Sequence, residues 1–127
     1  MIFGIGHDIV ENNRIAELLH KYQQKFITKI LTTSEIEFFN LHKNKVNYIA
    51  KRFAAKEALA KACGTGLRCP ILLQNMSVLN DNLGKPYFKF STELQQWLNE
   101  QKIQKCHLSL TDEINTSSAF VILEKLT

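Results

Sequence analysis

The chain opens on alternation. Across Met1–Val10, one face carries Ile2, Gly4, Gly6, Asp8 and Val10, and the other Met1, Phe3, Ile5, His7 and Ile9. That is the two-residue period of a β-strand. The glycines leave room beside Asp8 for another element or a ligand to approach the backbone closely. The period then becomes helical. Ile15, Leu18, Leu19, Tyr22, Phe26 and Ile30 recur at helical spacing and predict one helix over Arg14–Leu31. Ser34-Glu35-Ile36-Glu37 fits a capping box and starts a second helix near Ser34. Leu41–Asn47 is polar and basic and reads as a connection. A third helix is expected from about Val46 to Cys63, stopped by Gly64-Thr65-Gly66.

After Pro70 the pattern turns to strands. Met76–Asn80 and Tyr87–Phe90 flank the turn-rich segment Asp81–Pro86. Thr92–Lys102 reads as a short helix with Leu94, Trp97 and Leu98 inward, and Cys106–Thr111 and Ser118–Glu124 as two further strands. Three or four helices and about five strands, segregated rather than alternating, predict an α+β fold with an antiparallel sheet.

Length and composition narrow the class. A chain of 127 residues, 45% hydrophobic and 22% charged, reads as a single domain over 1–127. Its core needs no disulfide or structural metal. Cys63, Cys69 and Cys106 are odd in number and form no C-x-x-C, which argues against a disulfide framework or a thiolate zinc site and suits a cytoplasmic protein. The first ten residues lack a signal peptide's basic start, and no run approaches a membrane span, so no membrane partner is expected. The net charge of +4 favours an anionic partner, unless it serves only solubility. Lys21, Lys25 and Lys29, with Arg14 near the start, form a basic stripe on the first predicted helix, either a solvated face or a dock for an acidic partner.

Candidate chemistry concentrates on the third helix. Val46, Ala50, Phe53, Glu57, Lys61 and Gly64 lie along one stripe, so Glu57 is expected on a packing face among closely spaced alanines. A carboxylate there must be paired or bind a cation, and Lys61, four residues on, is one available partner. Asp8 is a second inward-leaning carboxylate. Two carboxylates converging from separate elements suit magnesium, which completes its shell with waters and phosphate oxygens. Gly4-Ile5-Gly6 lacks the third glycine of a dinucleotide fingerprint, and the four histidines show no metal-ligand spacing. No serine or cysteine stands in a nucleophile motif, and no aromatic–basic interleaving suggests an RNA platform.

Gly4-Ile5-Gly6-His7-Asp8-Ile9-Val10-Glu11 with Arg14-Ile15, then Arg52-Phe53-Ala54-Ala55-Lys56-Glu57-Ala58 with Lys61 and Gly64-Thr65-Gly66, resemble the holo-acyl-carrier-protein synthases. These are the short-type bacterial 4′-phosphopantetheinyl transferases. Gly84-Lys85-Pro86, His107-Leu108-Ser109-Leu110 and Val121-Ile122-Leu123-Glu124 match in order, so the resemblance spans essentially the whole chain. It implies an antiparallel sheet wrapped around a long central helix, and a trimer with sites at subunit interfaces. It implies Mg²⁺-dependent transfer of phosphopantetheine from coenzyme A to a serine of apo-acyl carrier protein, releasing 3′,5′-ADP, in fatty-acid synthesis. Asp8 and Glu57 match the metal ligands, and Glu57 and Lys61 the catalytic pair, with Lys61 near the pyrophosphate. Arg52, Lys43 and Lys45 match basic positions near the nucleotide phosphates. Gly64 belongs to the same cofactor-binding set, and Pro86 to a loop reaching toward a neighbour's adenine. Arg14, Lys21 and Lys25 would dock the acidic carrier protein. Asp112 stands where many relatives carry histidine. The general base stays open among Glu11, Glu35 and a metal-bound water. The competing reading is a non-enzymatic basic module for RNA or a phosphorylated ligand, with Asp8 and Glu57 as structural ion pairs.

Overall fold

A computed structural model describes residues 1–126. The elements run β1 (Ile2–Glu11), α1 (Asn12–Tyr22), α2 (Gln24–Ile30), α3 (Thr33–Leu41), α4 (Lys45–Cys63), a 3₁₀ turn (Leu73–Asn75), β2 (Met76–Asn80), β3 (Pro86–Phe90), α5 (Thr92–Glu100), β4 (Ile103–Asp112) and β5 (Thr116–Lys125). The expected α+β class and central helix are present. The strands form two antiparallel sheets rather than one: β1-β5-β4, and the hairpin β2-β3.

α4 is the axis of the fold. Twelve of its nineteen residues are buried, among them Ala50, Ala54, Ala55, Ala58, Ala60 and Ala62. Alanines present little side chain, so β1 lies directly on the helix backbone. An added Cβ would stand 2.0 Å from the Ala62 carbonyl oxygen at Gly4 and 1.8 Å from the Ala58 carbonyl oxygen at Gly6. Only glycine permits this approach, which carries Asp8 to the side of α4. Gly6→Ala should therefore destabilise the protein by about 1–3 kcal/mol, because the obstructing atom is backbone and cannot rotate away. Chemical denaturation measures this; a loss under about 0.5 kcal/mol would refute the close packing.

The single helix expected over Arg14–Leu31 is two. Gln23 adopts φ 47° and ends α1, its N–H donating to the Leu19 carbonyl at 2.9 Å. The break lets α2 turn so that Phe26 and Ile30 reach the core while Tyr22 stays 48% exposed. The lysine stripe is thereby split, Lys21 on α1 and Lys25 and Lys29 on α2.

The capping box also sits two residues earlier than expected. Thr32 caps α3, its Oγ1 accepting from the Glu35 N–H, while Glu35 Oε1 accepts from the Thr32 N–H at 2.9 Å. The basic connection shrinks to His42–Asn44, since Asn44 caps α4 by accepting from the Asn47 N–H at 3.0 Å. No helix of the described residues is long and apolar enough to cross a membrane.

Candidate active site

Asp8 and Glu57 line one cavity of about 400 Å³, with Glu11, Arg14 and Phe53 around it. Alternation along β1 turns Asp8 inward, and α4 brings Glu57 from the opposite wall. Burial raises the Glu57 carboxyl above its ordinary value, the Asp8 charge raises it further, and Lys61 pulls it partly back. The cavity therefore holds two mutually repelling, partly desolvated carboxylates. Such a pair calls for a cation.

Lys61 supplies one positive charge, but not in the expected way. Its Nζ donates to Asp8 Oδ1 at 3.1 Å and to the His7 carbonyl at 3.0 Å. The ion pair formed is thus Lys61–Asp8, not Lys61–Glu57. Glu57 is half-buried in the cavity wall and Lys61 is exposed beside Asp8, so this end of the stripe is not a packed interface. Gly64 ends the stripe as the left-handed cap of α4, φ 79°, with open space where a Cβ would stand.

Among the described residues no cluster of three or more His, Cys, Asp or Glu exists. Two carboxylate donors still fit magnesium, a hard ion that takes one or two protein carboxylates and fills its shell with water and substrate phosphate. A tightly caged metal would not fit.

A second cavity, of about 530 Å³, opens on another side of α4. Arg52 and Glu57 are five residues apart, about 140° around the helix, and so face different spaces. Arg52, Lys51, Tyr48, Asn80, Gly84 and Pro86 contribute to its lining. Arg52 is 5% exposed, and its guanidinium lies over the Tyr48 ring at 3.9 Å. Of the expected basic residues near it, Lys45 Nζ is held by the carbonyls of Asn40 and His42, at 3.2 and 3.0 Å. Lys43 is exposed. Asp112 is tied to Asn47 at 2.8 Å and to Lys51 at 3.7 Å. Lys51, Tyr48 and Asn80 carried no sequence signal of their own, although Tyr48 and Arg52 at i, i+4 could have suggested a stacked pair.

A third cavity, of about 480 Å³, is an apolar groove that shares Leu18, Phe26, Phe53 and Glu57 with the carboxylate cavity and carries Lys25 and Lys29. The bent basic belt thus borders an apolar trough leading to Glu57.

Glu35 is no candidate base. It is fully buried. Its Oε1 accepts from Lys56 Nζ at 2.6 Å and its Oε2 from the Val78 N–H at 2.8 Å. Both oxygens are occupied far from solvent. Its partner Lys56 stood in the sequence motif without a role of its own and is the largest fully buried side chain among the described residues.

The fold recurs in proteins of known chemistry. Residues 4–117 match the 4′-phosphopantetheinyl transferase superfamily, to which the chain belongs. Within it, the holo-[acyl-carrier-protein] synthase of Nitrosospira multiformis is 50% identical over 125 residues, covering 98% of this chain and all of the relative. The crystal structure of the holo-[acyl-carrier-protein] synthase from Neisseria meningitidis superposes with a TM-score of 0.96 at 49% identity, covering 98% of this chain and 100% of that one. The Bacillus anthracis holo-(acyl-carrier-protein) synthase, in complex with CoA (3′,5′-ADP), gives a TM-score of 0.83 at 36% identity, covering 99% of each chain.

Proposed function

We propose that this chain, acting as one domain over 1–127, transfers the 4′-phosphopantetheine arm of coenzyme A to a serine of apo-acyl carrier protein and releases 3′,5′-ADP. The reading rests chiefly on Asp8 and Glu57 in one cavity, with Lys61 paired to Asp8, in a chain from this superfamily. Magnesium would be held by Asp8 and Glu57. When bound, it would neutralise charge on the diphosphate and polarise the phosphorus under attack.

The rest of the work falls to the chain and its partner. Phosphoryl transfer is mostly positioning and charge neutralisation. Lys61 is exposed enough to swing from Asp8 to the leaving diphosphate. The carrier's serine oxygen bonds to the β-phosphorus as the bond to the 3′,5′-ADP oxygen breaks, and the serine proton leaves to Glu11 or solvent at the cavity mouth. Arg52 offers a buried guanidinium for a nucleotide phosphate, with Lys43, Lys45, Gly64 and Pro86 as further contacts for coenzyme A.

The assembly proposed is a homotrimer in the cytoplasm. The outer face of β1-β5-β4 leaves Ile5, Ile9 and Phe120 exposed at 59%, 62% and 42%, an apolar patch suited to other copies. The Arg52 and Glu57 cavities open on different sides of α4, so one coenzyme A could bridge two copies.

Arg14, Lys21 and Lys25 are the proposed docking charges for the acidic carrier protein: Arg14 lines the carboxylate cavity, Lys25 the apolar groove, and Lys21 is exposed on α1. Lys21→Glu with Lys25→Glu should raise the KM for carrier protein about tenfold at low salt, with little change for coenzyme A. The wild-type KM should climb with salt while the double variant's stays flat. Identical carrier KM values in both proteins at every ionic strength would defeat the docking role. The transferase reading itself is tested by stoichiometric release of 3′,5′-ADP that requires both substrates; release without carrier protein would point to hydrolysis instead.

A further inference from the structure

Asn80 connects the two walls of the Arg52 cavity. It is the last residue of β2 and is exposed. Its Oδ1 accepts from Arg52 Nη2 at 2.8 Å, and its Nδ2 donates to the Gly84 carbonyl at 2.9 Å. One amide thus ties α4 to the turn that carries Gly84 and leads into Pro86. Asp81 stiffens that turn, its Oδ1 accepting from the Leu83 and Lys85 N–H groups at 2.9 Å each.

Below, the Tyr48 ring supports the guanidinium, and the Tyr48 hydroxyl donates to the Glu35 carbonyl at 2.9 Å. Arg52 is therefore clamped on two sides, yet its Nε is buried without a partner. A buried guanidinium with an unsatisfied N–H is costly, and an anion facing its Nη groups would offset that cost by stabilising the whole cation. The fork geometry of arginine suits a phosphate's paired oxygens.

This anion is not the diphosphate. That group belongs to Asp8, Glu57 and Lys61, which lie about 140° away around α4 from Arg52. Coenzyme A carries one other anionic group, the phosphate monoester on its ribose.

We propose that Asn80 is a positioning residue that aims Arg52 at the ribose phosphate monoester, and so sets preference for coenzyme A over its dephosphorylated form. The inference rests on the transferase reading for its substrate. Asn80 acts only through Arg52 and the turn.

The test compares coenzyme A with 3′-dephospho-coenzyme A in the wild type, Asn80→Ala, Arg52→Gln and the double variant, with magnesium and apo-acyl carrier protein. The wild type should favour coenzyme A in kcat/KM. Asn80→Ala should cut that preference about tenfold, mainly through the KM of coenzyme A, as loss of one charge-assisted hydrogen bond predicts. Arg52→Gln should cut it at least as far, and adding Asn80→Ala to it should change nothing more. An unchanged preference in Asn80→Ala, or additive losses in the double variant, would overturn the proposal. Binding of 3′,5′-ADP against 5′-AMP, by calorimetry on the same four proteins, separates this idea from the transferase reading. Should no phosphopantetheine be transferred, a wild-type preference for 3′,5′-ADP that Asn80→Ala loses would still support the Arg52 mount. No such preference in the wild type would refute it.

Discussion

Asp8→Ala and Glu57→Ala should each lower transfer at least about a hundredfold, the several kcal/mol of charge stabilisation that a held divalent cation supplies. Neither change should unfold the protein. Glu57 sits in the cavity at a cost, since burial and the Asp8 charge both disfavour its ionised form. Glu57→Gln removes that charge and should match or exceed the wild type in metal-free thermal stability at neutral pH. Because the folded carboxyl binds its proton more tightly than the unfolded one, the cost is present above the raised value and vanishes below the ordinary carboxylate range. The stability gap between Glu57→Gln and the wild type should therefore narrow as pH falls through that window. A variant that is inactive because it is unfolded, or one that keeps near-normal turnover at equal Mg²⁺, would contradict the assignment.

Lys56→Ala should be the most destabilising side-chain truncation in the helix, at about 3–5 kcal/mol. That is a large share of a typical folding free energy of about 5–15 kcal/mol. Lys56 Nζ is wholly buried and donates to Glu35 Oε1 at 2.6 Å and to the carbonyls of Ile30 and Leu73 at 2.7 and 3.2 Å. Burial pushes the lysine below its ordinary value, and the Glu35 carboxylate holds it back up. Removing it leaves the carboxylate buried without its ion-pair partner and two carbonyls without this donor. Replacing both partners by apolar residues, Lys56→Met with Glu35→Leu, should recover most of the loss, because no stranded charge remains. Denaturant melts of the three proteins decide this. A loss below about 1 kcal/mol in Lys56→Ala would mean that the pair does not pin α3, the 3₁₀ turn and α4 together.

These sites also mark where sequence reading succeeds and where it stops. The alternation Gly4, Gly6, Asp8, Val10 was legible because a strand's period leaves no freedom in which residues share a face. The alanines of α4 announced close approach because small side chains have no other effect on packing. The capping box was ambiguous, since Thr32–Glu35 and Ser34–Glu37 both satisfy the motif. The choice was made by Lys56, which draws Glu35 inside, a contact across 21 positions. The break at Gln23 carried no glycine or proline to reveal it. Its reason is tertiary, the need to turn Phe26 and Ile30 inward. Lys61 was paired with Glu57 by helical spacing alone; a strand that the spacing cannot see places Asp8 nearer. Asn80 was invisible for the same reason, since its importance lies in joining a helix to a turn.

The most direct test is the mass of the carrier protein. Apo-acyl carrier protein incubated with coenzyme A, Mg²⁺ and a catalytic amount of this chain should gain one phosphopantetheine arm on a single serine. The gain should disappear when the metal is chelated and when Asp8→Ala replaces the wild type. An unchanged mass at saturating coenzyme A and Mg²⁺, or undiminished transfer after chelation, would contradict the account.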